Sequence, residues 1–278
     1  MQSIESGNQP VRSPRWGVLN TALDTTTPSF SEILGKLDQI EKECGVRILF
    51  ACESGSRVWG FASKDSDYDV RYVYVRPMES YITITDRKDE IRGEADPLFD
   101  FAGWDITKTL RLLAKSNPSL GEWLNTDLLY RSDPAAHQIL KDTYNENFSP
   151  GTLYEHYRSM ASGIWHRELA GKEISGKQYL YATRALLATN WLVGQKSFPP
   201  LLFDTLLAGT SVSSEVAREI AGLLEKKRAG GEMGPQPRIP LIDDFIKAQL
   251  TLPRPSTWTN AAPDMAKLDR VLLQLVKG

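Results

Sequence analysis

Cysteine and histidine are scarce in this chain, with two Cys and three His among 278 residues. Cys44 and Cys52 are too few for the framework of a disulfide-stapled secreted domain. Together with scattered histidines they give no clustered zinc-ligand spacing. His156 and His166 stand nearly three helical turns apart, too far to share one ion. No run of about 18 apolar residues occurs, so neither a membrane-spanning helix nor a membrane partner is expected, and a cytoplasmic location is. An excess of one charge is missing too: 33 basic against 35 acidic residues leave a net of -2. That balance argues against a chain that blankets a polyanion, though it leaves room for a local basic groove. What remains is a globular protein with length for one large domain or two modest ones.

The first 28 residues, rich in Ser, Thr, Pro and Asn, read as a loosely held arm with one short strand around Trp16 to Leu19. Phe30, Ile33, Leu34, Leu37, Ile40 and Cys44 recur at helical spacing, with Gly45 placed to end the helix. Val46 to Cys52 is an apolar run suited to a buried strand, and Val70 to Val75 is the next strand, with Val70, Tyr72 and Tyr74 on one face. Tyr81 to Ile84 and Pro97 to Ala102 are further strand candidates, separated by a polar surface loop that can carry an edge strand. Asp105 is placed to cap a helix through Ile106, Leu110, Leu113 and Ala114, and Leu120, Trp123, Leu124 and Leu128 begin another apolar face. Helices are then expected over 134–147, 150–172, 176–194, 201–208, 213–229, 240–250 and 264–277, with loops at 229–240 and 253–263. The architecture is lopsided, an α/β module followed by a helical one, and does not fit βαβ units throughout.

The segment with the most chemistry runs from Gly55-Ser56-Arg57 to Asp67-Tyr68-Asp69-Val70-Arg71. Asp67 and Asp69 enter a strand two residues apart, so both carboxylates and Arg71 share a face, the two α-carbons about 7 Å apart. Like charges so close call for a cation, and an oxygen-rich site of this kind suits Mg²⁺, which completes its shell with substrate phosphates. Two such ions can activate an attacking hydroxyl and neutralise a leaving phosphate. An acidic turn that merely caps backbone amides is the competing reading. The Gly55-Ser56 turn after a buried strand favours the first, because its amides and hydroxyl can hold phosphate oxygens. Arg57 either neutralises phosphate or pairs with Asp65, and Arg71 either forms an ion pair or contacts nucleotide. A third carboxylate would come from Asp100, set between apolar neighbours where an unpartnered charge is costly, in preference to Asp105, which capping alone explains.

These residues resemble the DNA polymerase beta-like nucleotidyltransferase superfamily, whose signature is a Gly-Ser turn followed by two strand carboxylates one residue apart. The stretch from Gly55 to Arg71 is similar to the nucleotidyltransferase family associated with bacterial RNA repair operons. Asp100, Lys108, Asn117-Pro118 and Glu122 match its later landmarks. The resemblance implies a mixed-sheet catalytic domain over 29–130 and a helical C-terminal domain over 131–278. It implies that Asp67, Asp69 and Asp100 hold Mg²⁺, for which Mn²⁺ could substitute. Gly55, Ser56, Arg57, Arg71 and Lys108 would bind a nucleoside triphosphate, joined by Lys177, Tyr181 and Arg184 on one helix face. The reaction implied is nucleotidyl transfer to a hydroxyl with release of pyrophosphate. RNA is the preferred acceptor; a protein or small molecule, or an inactive nucleotide-binding regulator, are the alternatives. Trp104, Trp123, Trp165 and Trp191 are expected in cores. The Glu225-Lys226-Lys227-Arg228 run is expected to be a solvated helix end or an RNA contact.

Overall fold

The apolar run ending at Cys52 lies near the middle of a mixed sheet in the computed structural model, which describes residues 28–167, 173–230, 233–258 and 262–278. The expected N-terminal arm lies outside the described residues. Five strands, β1 (Arg47–Glu53), β2 (Tyr68–Val75), β3 (Glu90–Arg92), β4 (Phe99–Asp105) and β5 (Leu129–Ser132), line up in the order β3-β4-β2-β1-β5. β2 and β4 are parallel; the other neighbours are antiparallel. The parallel register sets Asp69 opposite Asp100.

Strand alternation divides the two faces of the sheet. Val70, Tyr72 and Tyr74 pack with Phe99 and Phe101 beneath α1 (Pro28–Cys44), through Ile33 and Leu37. A one-turn helix, α2 (Gly55–Val58), follows β1 directly. Leu49, Phe50 and Val73 face the other way, toward α3 (Ile106–Leu113), α4 (Pro118–Asn125) and α5 (Pro134–Asn147). A separate core gathers α6 (Pro150–Arg167), α7 (Gly176–Gln195), α8 (Phe203–Ala208), α9 (Ser214–Arg228) and α10 (Pro240–Thr251). The last helix, α11 (Met265–Lys277), returns to the sheet with Leu268, Val271 and Leu275. A short ribbon of β6 (Glu173–Ser175) and β7 (Pro235–Pro237) runs beside α7. The molecule is thus a mixed α/β module joined to a helical one.

Most helix starts follow from side-chain caps. Asp105, Asn117, Asp133, Ser213 and Asp264 each accept a bond from a backbone N–H of the first turn. Three expectations need correction. Tyr81 to Ile84 is no strand: a 3-10 turn spans Met78–Tyr81, and Ile82 and Ile84 project into solvent with no strand beside them. The apolar face begun at Leu120 ends with α4 at Asn125, and Leu128 leads instead into β5. The loop expected over 229–240 contains β7. The stretch 168–172 of the helix expected over 150–172 lies outside the described residues.

His137 gives the fold a measurable acid sensitivity. Its ring packs tilted against Phe50, with ring centres 4.7 Å apart, and its Nε2 is buried without a hydrogen-bond partner. Burial, with Lys141 adding to it, draws its pKa from 6.5 down to about 4. The folded state therefore takes up that proton later than the unfolded chain does. The stability so gained is complete above pH 6.5 and lost as pH falls through 4. Its upper bound is about 3 kcal/mol. In denaturant titrations at pH 7 and pH 4, His137→Gln is expected to lose less stability on acidification than the parent; an equal loss would disprove this assignment.

Candidate active site

The turn after β1 is built to press against a carboxylate. Gly55 has φ +61°, and a Cβ at this position would lie 2.1 Å from Asp69 Oδ2. Glycine alone meets both conditions. Ser56 is buried in α2. Arg57 does not pair with Asp65. It donates to the carbonyls of Asp67 at 3.0 Å and Ser66 at 2.6 Å, and its guanidinium lies 3.8 Å from the centre of the Tyr68 ring. These bonds tie the turn to the start of β2.

Asp69 and Asp100, opposite one another on β2 and β4, share a single cation. Arg71 Nη2 lies 2.7 Å from Asp69 Oδ1 and 2.7 Å from Asp100 Oδ2. The same side chain donates from Nη1 to the Asp100 carbonyl at 2.7 Å. Burial raises the Asp69 pKa; Arg71 opposes this, while the charges of Asp67 and Asp100 add to it. Asp67, just ahead of β2, is exposed. Among the described residues, no three acidic, histidine or cysteine side chains converge closely enough to hold an ion as they stand. Asp105 is elsewhere. It aligns with Tyr74, five residues farther along β4 than Asp100 and about 16 Å away. Its oxygens accept from Thr107 N, Thr107 Oγ1 and Tyr81.

Glu53, absent from the sequence-based candidates, supports Asp69 from behind. It is 1% exposed, its Oε1 accepts the Asp69 N–H at 2.8 Å, and its Oε2 accepts the Tyr130 hydroxyl. Burial pushes its pKa up to about 7 against those bonds and Arg57. The signal was present: a carboxylate closing the apolar run Ile48 to Cys52 demands partners.

A cleft of about 340 Å³ opens beside these groups, lined by Gly55, Asp69, Arg71, Trp59, Trp104 and Tyr181 among others. Tyr181 stands edge-on to Trp59 at 5.1 Å, and Lys177 reaches over its ring at 5.6 Å. Burial first, then Asp69 and Asp67, raise the Tyr181 pKa to about 12, and Lys177 acts on that of Asp69 in the opposite sense. Arg184 differs from them. It is buried, bonded to Glu122 at 2.8 Å, and stacked 4.3 Å from the centre of the Trp59 ring. Lys108 is placed against Glu90 at 2.8 Å and Asp89 at 3.6 Å, at the sheet edge. Trp123 is buried and stacks at 3.8 Å on Trp104, which is only half-buried and lines the cleft. The basic run ending α9 is neither free nor solely solvated: Lys227 donates to Ser63 at 3.2 Å and Arg228 to the Gly60 carbonyl at 2.9 Å.

Residues 31–274 match the RNA repair pathway DNA polymerase beta family. The chain belongs to that family. By family it is a polymerase beta-like nucleotidyltransferase. The uncharacterized protein YcgL of Bacillus subtilis (strain 168) is 39% identical over 218 residues, 78% of this chain and 84% of that one. A nucleotidyltransferase-like protein from Exiguobacterium sibiricum 255-15 aligns over 88% of this chain and 80% of its own at 9% identity and a TM-score of 0.33, too low a likeness to carry weight. Proteins of the polymerase beta superfamily typically use divalent metals. The donor chemistry fits such an ion: Asp69 and Asp100 offer carboxylate oxygens across one strand pair, with Asp67 two residues away.

Proposed function

We propose that this protein transfers a nucleoside monophosphate from a nucleoside triphosphate to an acceptor hydroxyl, preferentially on RNA, and releases pyrophosphate. One observation carries the reading: Asp69 and Asp100 stand opposite each other beside the Gly55 turn, at the side of an aromatic-walled cleft. Asp67, Asp69 and Asp100 would hold Mg²⁺ or Mn²⁺. When bound, that group neutralises phosphate charge and increases the acidity of the attacking hydroxyl. The close turn at Gly55 and Ser56 brings backbone amides toward the phosphates. Lys177 adds positive charge, and Tyr181 offers an aromatic surface on the same wall. Glu53 orients Asp69 through its backbone. Rate enhancement then rests on positioning and charge neutralisation, with no protonating side chain required. RNA is favoured because the family is named for an RNA repair pathway, and aromatic walls suit stacked bases.

The test is incubation with Mg²⁺ and each of the four α-labelled triphosphates, alongside RNA with free terminal hydroxyls, a protein mixture and small hydroxylated metabolites. Label in RNA with matching pyrophosphate is expected. Label moving to protein or metabolite would overturn the acceptor, and triphosphate binding without pyrophosphate would overturn the enzyme.

A further inference from the structure

Arg71 stands between the two carboxylates, where an ion bridging the same two oxygens would stand. One nitrogen, Nη2, takes an oxygen from each carboxylate at 2.7 Å, while Nη1 is held by the carbonyls of Asp100 at 2.7 Å and Val70 at 3.2 Å. The Arg71 side chain is 16% exposed and that of Asp69 23%, while Asp100 keeps 48% of its surface open to solvent. A divalent ion bound to the same two oxygens must come within about 2.0–2.6 Å of each, which is the space Nη2 fills. A dication and a guanidinium within about 4 Å would also repel by many times the thermal energy, even at an effective dielectric constant of about 20. The two cations exclude each other. Asp69 and Asp100 are arranged around this guanidinium, while Asp67 is exposed and makes no ion pair with it. Arg71 also lines the cleft, so once released its charge stays beside the bound substrate.

We propose that Arg71 is a built-in counter-cation that holds Asp69 and Asp100 together until metal and triphosphate arrive jointly, when it leaves the carboxylates for the phosphates. This rests on the reading of Asp69 and Asp100 as ion ligands. Binding of the two ligands is then linked: the metal alone must evict Arg71 with nothing to receive it, whereas the triphosphate offers the guanidinium a new partner. By linkage each ligand strengthens the other.

The experiment measures free Mn²⁺ by electron paramagnetic resonance with the full chain, with and without α,β-methylene-ATP. Wild type is expected to bind Mn²⁺ weakly alone and about 10-fold or more tightly with the nucleotide. Arg71→Gln should bind Mn²⁺ alone about 10-fold tighter than wild type, with the nucleotide effect reduced. Arg71→Lys, which keeps the charge, should stay near wild type. A folded Arg71→Gln no tighter than wild type would overturn the proposal. If that variant does not fold, the wild-type titration decides: Mn²⁺ affinity indifferent to nucleotide is equally fatal. Asp100→Asn separates the two readings. If it binds Mn²⁺ as well as wild type, the ion site itself is misassigned, whatever Arg71 does.

Discussion

Asp100→Asn is expected to lower nucleotide transfer by about 10²- to 10³-fold or more while leaving the melting temperature almost unchanged. The Asp100 side chain is 48% exposed, and Arg71 keeps its bond to Asp69 when the second carboxylate is neutralised. An exposed ion pair of this kind contributes about 1 kcal/mol or less. The reaction, by contrast, depends on two negative charges on opposing strands, and Asn removes one with little change in shape. Asp105→Ala should do the opposite. Asp105 is 3% exposed and caps α3 through Thr107. Losing that cap costs about 0.5–2 kcal/mol, with transfer by the folded fraction largely kept. Unfolding and transfer assays on the same pair of proteins decide the matter. Full transfer by Asp100→Asn, or a selective loss of chemistry in Asp105→Ala, would move the third carboxylate to the wrong end of β4.

Those two aspartates also show what a sequence can disclose. Asp105 was legible because a carboxylate ahead of an amphipathic turn is a cap; Asp100 was singled out by its apolar neighbours, yet its side chain is 48% exposed, because strand alternation turns it away from the face of Phe99 and Phe101. Both inferences are local. The helices were legible for the same reason, since their starts are set by residues such as Asn117, Asp133 and Ser213 within one turn. Long-range pairings were not. Arg184 meets Glu122 across 62 positions, Lys108 meets Glu90 across 18, and Lys227 meets Ser63 across 164. Helical spacing alone puts Arg184 and Lys177 on one face, yet Arg184 is buried at the cleft wall and Lys177 is exposed. β5 escaped because four residues beside an apolar helix carry little period of their own, and it forms by pairing with the edge of β1.

Glu122→Ala is expected to reduce the unfolding free energy by about 3–5 kcal/mol, because it leaves a buried guanidinium without its counter-charge. The Glu122 and Arg184 side chains are 9% and 4% exposed. Glu122 Oε1 accepts from Arg184 at 2.8 Å and from the Tyr157 hydroxyl at 3.4 Å, while its Oε2 accepts from Trp59 Nε1 at 3.0 Å. One carboxylate thereby joins α4, α6, α7 and the residue that ends α2. Trp59 and Phe61 lie in the helical core, Phe203 N donates to the Trp59 carbonyl at 3.0 Å, and α9 holds Gly60 and Ser63. The chain that leaves the Gly55 turn is therefore gripped by the helical module on several sides, and the turn keeps its close approach to Asp69 only while that grip lasts. Replacing both charges by leucine, Glu122→Leu with Arg184→Leu, should recover most of the stability, since no uncompensated ion remains. It should not recover full activity, because Trp59 has still lost its acceptor. Urea unfolding of the two variants beside wild type checks the first claim; a loss below about 1 kcal/mol in Glu122→Ala would place the pair in the class of surface salt bridges. Transfer assays on the folded double variant check the second, and wild-type rates there would show that the turn holds its shape without help from the helices.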